Sequence, residues 1–389
     1  MREMEDRKSR ALKYFRRIIA ALSMIICVAV SMNCLQYYLS IPVTADQTRI
    51  IQFKKEPPDS IDVIMLGSSP TYSGFSSAYA YEQFGFTSYP YAVGGSYCSM
   101  WKPAMQNILL TQKPKLVVVD VFGGGYDIET GENRKLALYL ISNTMPYSAE
   151  KFRMAREASR HMDTGDAVSL AFPFVRYHSN FATNLKNIKE RMAIESYGPS
   201  PMKGVEVMTK VKKLKPLSKE CFTADTEPLD KKTAEIIRSF IKYCRAQNVD
   251  MLFVKYPSRP TYEEDFMANM RQNSVLELAR SEGCKTLDLE RGFNKTGLNL
   301  KTDFYNRSHT NHRGQRKLTE HLGAYIQNNM GIGPSHPKGH IKDNWDKSAD
   351  YYNVLCEMSE EMIQKKKTKF LSDSPELVEQ IEQYKKEKR

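Results

Sequence analysis

Two short segments 240 residues apart hold side chains suited to nucleophilic chemistry. The first, Gly67-Ser68-Ser69-Pro70-Thr71, directly follows the apolar run IDVIML. The second, Asp303-Phe304-Tyr305-Asn306-Arg307-Ser308-His309-Thr310-Asn311, precedes a segment of helical periodicity with Gly314 in its first turn. A serine hydroxyl becomes nucleophilic near neutral pH when a base takes its proton, and a histidine oriented by a neighbouring acid is the common base. A serine at a strand-to-helix turn also lies near the helix's first amides, where negative charge is stabilised. Each segment alone is a weak signal, since Gly-Ser-Ser turns are common and the chain has seven histidines. Together they supply the parts of an acyl-transfer site.

These residues need a scaffold that places a strand end beside a late loop. Near-continuous apolar runs at 61–69 (IDVIMLGSS) and 115–125 (KLVVVDVFGGG) predict strands buried on both faces, as in a parallel sheet. MWKPAMQNILLTQKP at 100–114 predicts the helix between them, completing a β-α-β unit. DMLFVKY (250–256) and KTLDL (285–289) predict two further strands, with helices at 233–247, 266–283 and 314–329. The alternation predicts an α/β fold, a flavodoxin-like α/β/α sandwich with a parallel sheet spanning 60–330. The stretch 130–230 breaks the rhythm and reads as an insertion on the sheet's rim. It contains FPFVRYHSNF, with His178 either structural or lining the cleft, and the basic run KVKKLKPLSK at 210–219. Residues 331–389 read as a charge-rich tail of exposed helices, and GGGYD at 123–127 lacks the Lys-Ser/Thr of a phosphate-binding loop.

The 389 residues carry a net charge of +12, a balance that favours nucleic acid, an anionic membrane or an anionic polymer. Residues 1–17, with seven basic and three acidic side chains, hold +4 of it just before the uncharged stretch 18–42. That stretch predicts one N-terminal transmembrane anchor, with aromatic Tyr37 and Tyr38 near its end. The apolar segment exceeds the usual signal-peptide length, and no small-x-small cleavage site follows it. Basic flanking residues place 1–17 in the cytoplasm and everything after a polar linker at 43–59 outside the cell membrane. The remaining +8 then faces outwards, which points to anionic lipid or wall polymer and away from nucleic acid. Seven cysteines without a CxxC pair or Cys/His spacing indicate neither a disulfide framework nor a metal site. Asn306-Arg307-Ser308 fits a glycosylation pattern by chance, while Asn180 fails it.

The succession IDVIMLGSSPTYSGF, FGFTSYPYAVGGSYCSMWKPAMQNILLTQKPKLVVVDVF and DFYNRSHTNHRGQRKLTEHLGAYI resembles the SGNH/GDSL hydrolase superfamily. It is most similar to the membrane-anchored envelope branch that includes the D-alanyl-transfer protein of teichoic acid modification and alginate O-acetylation proteins. The resemblance covers about 60–126 and 235–330. It implies Ser69 as nucleophile, His309 as base, and Gly95 in AVGGS as an oxyanion donor beside the Ser69 amide. Ser68 and Asp120 fall on the oxyanion and substrate side of the site by the same resemblance.

Three departures from the family pattern follow. Asn306 stands where the last block has its aspartate, leaving Asp303, three residues further back, as the alternative orienting group. The third-block Gly-x-Asn-Asp has no counterpart in VDVFGGGYD, where Asp120 and Gly123 are only nearby, and Pro90 stands where an asparagine is frequent. The resemblance implies O-acyl transfer or ester hydrolysis on an envelope polysaccharide or teichoic-acid-like polymer. It requires no cofactor, and implies a membrane-bound O-acyltransferase partner to pass the acyl group outward. The competing reading is a fold that has lost catalysis and serves as a scaffold, with Lys210 to Lys219 holding anionic polymer.

Overall fold

The computed structural model describes residues 2–39, 44–126, 135–160, 162–177, 188–216, 225–260 and 263–388. His178, Asn180, Cys221 and the end of the basic run at 217–219 lie outside them. The chain divides into two compact units, one of residues 1–42 and 142–189, the other of 43–141 and 190–389.

In the first unit a continuous helix runs from Arg2 to Leu39. Within its stretch Arg10–Cys34 the most apolar window has a mean hydropathy of 1.9 and none of it is buried, so the helix is long and apolar enough to cross a membrane. Helices Ala149–Ala158, Thr164–Ala171 and Pro173–Tyr177 accompany it. The Tyr147 N–H donates to Asn33 Oδ1 at 3.3 Å.

The second unit is built on a five-stranded parallel sheet of β1 (Val63–Gly67), β2 (Ser88–Ala92), β3 (Leu116–Asp120), β5 (Asp250–Lys255) and β6 (Lys285–Asp288), in the order β2-β1-β3-β5-β6. The short strand β4 (Glu206–Met208) pairs antiparallel with β7 (Phe370–Ser372). Every residue of β1, β2 and β3 is buried, as strands covered on both faces must be. On one face Val63, Met65, Val118, Leu252 and Val254 pack with Leu318, Leu322 and Ile326 of the helix His312–Met330. On the other, Phe253 meets Trp101 and Phe240, the three rings 5.7–6.3 Å apart. These rings come from helices Trp101–Ile108 and Lys231–Ala246, so helices cover both faces.

Local chemistry sets the helix limits. Asn311 caps His312–Met330 by accepting from the Arg313 and Gly314 N–H groups, and Gly331 ends it at φ +70. Asp230 caps Lys231–Ala246 through the Thr233 N–H at 2.8 Å. Strand β2, SYPYA, holds Pro90 without damage because it is the sheet's edge, where one side of the backbone needs no ladder partner.

Three segments differ from the sequence reading. Residues 45–53 of the expected linker form a packed helix, in which Ile50, Ile51 and Phe53 are buried and Arg49 is buried by polar partners. The expected insertion is divided: residues 142–189 belong to the first unit, whereas 135–141, 190–216 and 225–230 belong to the sheet-bearing unit. The tail is also part of that unit. Helices Gly339–Gln364 and Pro375–Lys388 bury Trp345, Tyr351, Tyr352, Leu355 and Ile381, several against Ala78, Tyr79 and Val207. Its many lysines and glutamates occupy the outer faces, and this masks the apolar stripe that packs inward.

Candidate active site

Register alone brings three loops together. β1 ends at Gly67, level with Ala92 of β2, and Leu66 lies opposite Val119, so the chain leaves all three strands at the same edge. Ligands of open α/β sheets bind at such an edge. A Cβ on Gly67 would lie 2.4 Å from Asp120 Cβ and 2.5 Å from Thr71 Oγ1, so the tight exit from β1 requires a glycine. Beyond it Ser69 opens the short helix Ser69–Gly74, half-buried, with its amide at the first helical position.

The loop from β2 is tied to this turn. The Val93 N–H and the Ser96 hydroxyl both donate to Gly67 O, each at 3.1 Å. Between them Gly95 adopts φ +64, the left-handed region that favours glycine, and is exposed. Gly94 N–H donates to Asp46 Oδ2 at 3.0 Å, and the other Asp46 oxygen accepts from Arg49 at 2.6 Å. Arg49 also reaches Glu206 at 3.2 Å and lies 3.9 Å over the Tyr72 ring. The helix preceding the sheet thus braces the Gly94–Gly95 turn.

His309 arrives from the opposite end of the chain. Its Nε2 lies 2.6 Å from Ser69 Oγ, and its Nδ1 lies 2.8 Å from Asn306 Oδ1. Asn306 Oδ1 also accepts the backbone N–H groups of Ser308 and His309, both at 2.9 Å. Those donors require an acceptor, which fixes the amide so that its oxygen faces the ring. Nδ1 therefore carries the proton and Nε2 is free to accept from Ser69, the tautomer a general base needs. Tyr305 stacks on the imidazole with centroids 5.3 Å apart. Burial pushes the His309 pKa down to about 4, so the ring is neutral at physiological pH.

The remaining sequence candidates have different surroundings. Asp303 does not face the imidazole. Its carboxylate accepts from Lys317 Nζ at 2.8 Å, Asn299 N–H at 2.7 Å and Thr302 Oγ1 at 2.8 Å, all pointing it into the protein. Ser68 and Asp120 are likewise buried beneath the turn and do not line the cleft. Ser68 Oγ donates to Asp120 Oδ2 at 3.0 Å, and the same oxygen accepts from Ser68 N–H and Thr71 Oγ1. Burial raises the Asp120 carboxyl to about 6 despite the Phe122 N–H and Ser68 donors. These two residues hold the turn that carries Ser69 in shape.

Sequence reasoning missed Asp46, Arg49, Tyr72 and Tyr305. Each lies outside an end motif or carries no spacing signal, and only the fold brings them to the cleft. A cavity of about 70 Å³, room for a group of a few heavy atoms, is lined by Phe122, Tyr126, Ser258, Arg259, Arg307 and Ser308, the last of these adjacent in sequence to His309. Among the described residues no cluster of three or more His, Cys, Asp or Glu side chains is arranged to hold a metal ion. No protein-family model matches the chain, and no curated protein matches it. Fold and site alone define the class: an α/β protein with an oriented serine-histidine pair at the strand ends.

Proposed function

We propose that the protein is an extracytoplasmic, serine-dependent O-acyltransferase or esterase of SGNH type that acts on a cell-envelope glycopolymer. The observation that carries this reading is the relay from Ser69 Oγ through His309 to Asn306 Oδ1, with successive contacts of 2.6 and 2.8 Å. The strand order, equivalent to 2-1-3-4-5 once the separate β4 is set aside, is flavodoxin-like and agrees with that class.

In the proposed cycle Ser69 Oγ attacks an acyl carbonyl while its proton passes to His309 Nε2. The new C–O bond leaves an oxyanion, which the Ser69 and Gly95 amides stabilise. Collapse expels the donor's alcohol, and that group takes the proton from Nε2. A sugar hydroxyl or water then gives its proton to Nε2 and attacks the acyl-serine, and as the acyl C–O bond to Ser69 breaks, Ser69 Oγ takes that proton back from Nε2. One backbone donor of this kind is worth roughly a hundredfold or more in rate.

Basic residues ahead of the apolar helix support a cytoplasmic N-terminus, with the sheet-bearing unit outside. Small acyl groups then require a membrane-bound O-acyltransferase as partner, and nucleic acid is not a ligand. Asn306 in place of a carboxylate favours a second reading, a catalytically impaired scaffold. Fluorophosphonate labelling of the full-length protein separates the two. Native protein should label, whereas Ser69→Ala should not and His309→Ala only slowly. A folded native protein that never labels refutes the enzyme.

A further inference from the structure

The aromatic stretch that begins at Phe172, and the two helices before it, take no part in the chemistry above. They belong to the unit of the long N-terminal helix and gather at one end of it. Helices Ala149–Ala158, Thr164–Ala171 and Pro173–Tyr177 pack in succession, and the last of them lies against the long helix. The Tyr147 bond to Asn33 ties the start of the group to the same place. Within Arg10–Cys34 only Met32 and Asn33 are partly covered, so the contact is confined to the C-terminal end of that stretch. Beneath the group Lys151 is buried, its Nζ donating to Ser142 O at 2.9 Å and Met145 O at 3.2 Å and lying 4.6 Å from the Tyr147 ring, which fixes the first helix in place.

These helices present an apolar face that the chain leaves open. Tyr147, Phe152 and Phe172 stand with ring centroids 5.8–6.2 Å apart. Val168 and Val175 lie one turn to either side of Phe172, whose N–H donates to Val168 O at 2.8 Å and whose carbonyl accepts from Val175 N–H at 2.9 Å. Phe152, Val168, Phe172 and Val175 are each 38–49% exposed, and so are the neighbouring arginines Arg153, Arg156, Arg160 and Arg176, of which Arg153 pairs with Glu150. Grouped apolar side chains of this kind mark contact with a protein or a membrane, and their depth decides between the two. The sixteen residues from Arg17, the last charge before the uncharged stretch, to Asn33 rise about 24 Å. With Arg17 at one boundary of a hydrocarbon layer roughly 30 Å thick, Asn33 and the helices tied to it lie about 6 Å inside the other. Aromatic rings, and arginines whose stems are apolar and whose heads reach phosphate, suit that depth.

We propose that the helices from Ala149 to Tyr177 lie in the surface of the lipid bilayer as a second membrane contact, with Phe152, Val168, Phe172 and Val175 turned to the acyl chains and the arginines to lipid phosphates. This rests on the reading of Arg10–Cys34 as a membrane span. The test uses full-length protein reconstituted in vesicles of phosphatidylcholine and phosphatidylglycerol. Phe152→Trp, Val168→Trp and Phe172→Trp are made singly, so that one disturbed site does not decide the result. The native Trp101 and Trp345 are buried in the sheet-bearing unit, and unsubstituted protein supplies their background. Each added indole should be quenched by lipids brominated along the acyl chain, at a depth of about 5–10 Å below the headgroups, and shielded from aqueous acrylamide. Indoles that acrylamide reaches overturn the proposal. So do indoles shielded from acrylamide yet untouched by brominated lipid, a result that would point to a second copy or another protein on this face. Alkaline carbonate extraction of the same vesicles reports on the span separately. Release of the native protein refutes the span and the placement built on it, whereas retention with unquenched indoles refutes the surface contact alone.

Discussion

Replacing Asn306 with aspartate tests the geometry of the relay most directly. The native amide already orients His309, so Asn306→Asp changes charge with little change in shape. The oxygen that already makes the 2.8 Å contact with Nδ1 stays in place and becomes part of a charged carboxylate. A unit charge about 4 Å from the centre of the imidazolium is worth about 4 kcal/mol at an effective dielectric of 20. Neighbours of this kind shift a pKa by about 1–3 units. From about 4, His309 would rise to roughly 5–7. If roughly half of the shift is felt in the transition state, as Brønsted behaviour implies, the plateau rate rises about 3- to 30-fold. The gain comes with a cost at low pH: activity, which in the native protein persists down to about pH 4, should fall away already between about 7 and 5 in the variant. Hydrolysis of p-nitrophenyl acetate followed from pH 4 to 9 reads both effects. An acid limb and plateau that do not move would refute the reasoning, because they would mean that the residue-306 side chain does not touch the base.

Gly67→Ala drives a methyl into Asp120 and Thr71 and should cost about 1–3 kcal/mol, read as a lowered thermal midpoint together with slower fluorophosphonate labelling. Lys203 Nζ is buried 2.8 Å from Glu56, touches Asn344 Oδ1 and lies 4.5 Å from the Trp345 ring. Lys203→Met strands the Glu56 carboxylate and should lower the urea-unfolding free energy by about 3–5 kcal/mol. Burial holds His309 and His312 neutral with pKa values of about 4, the latter despite Glu360. The unfolded chain takes up these protons from about pH 6.5 downwards, so their contribution is full above that pH and fades as the pH falls towards 4. Asp120, raised to about 6, and Glu56, Glu206, Glu290 and Asp373, also raised by burial, act in the opposite sense, so the histidine contribution is read by difference against a His309→Gln/His312→Gln variant. Between pH 7 and 4 the native protein should lose more of its urea midpoint than that variant does, and identical profiles would contradict the burial of both rings.

Strands β1, β3 and β5 and the helices between them were legible because burial on both faces leaves apolar runs that no solvent-facing strand could carry, whereas the edge strand β6 was legible from its place after a periodic helix. Ser69 was legible because it directly follows such a strand, and His309 because it precedes a periodic helix. Strand β2 was not, since SYPYA has no apolar run and Pro90 argues against a strand anywhere except an edge. The helix Ala45–Phe53 was hidden for a different reason. Its buried face holds Gln47, Thr48, Arg49 and Gln52, whose burial depends on partners such as Gly204 O and Ile194 O that are distant in sequence. The choice between Asn306 and Asp303 was open on spacing alone, and was decided by Lys317, whose ammonium turns Asp303 away from the ring.

The pairing of β4 with β7 also has a meaning for how the chain comes into being. The strand bearing Val207 leaves the ribosome some 160 residues before the one bearing Phe370 that closes over it. Until the last segment arrives, Tyr79, Met202, Val205 and Val207 have no cover from Tyr351, Tyr352 and Leu355. The growing chain therefore carries an unfinished flank, and only synthesis through helices Gly339–Gln364 and Pro375–Lys388 shuts it. A product cut short by a premature stop carries an open apolar wound that proteases and chaperones recognise. A fragment that already contains both Ser69 and His309 but lacks these helices therefore leaves Tyr79, Met202, Val205 and Val207 uncovered.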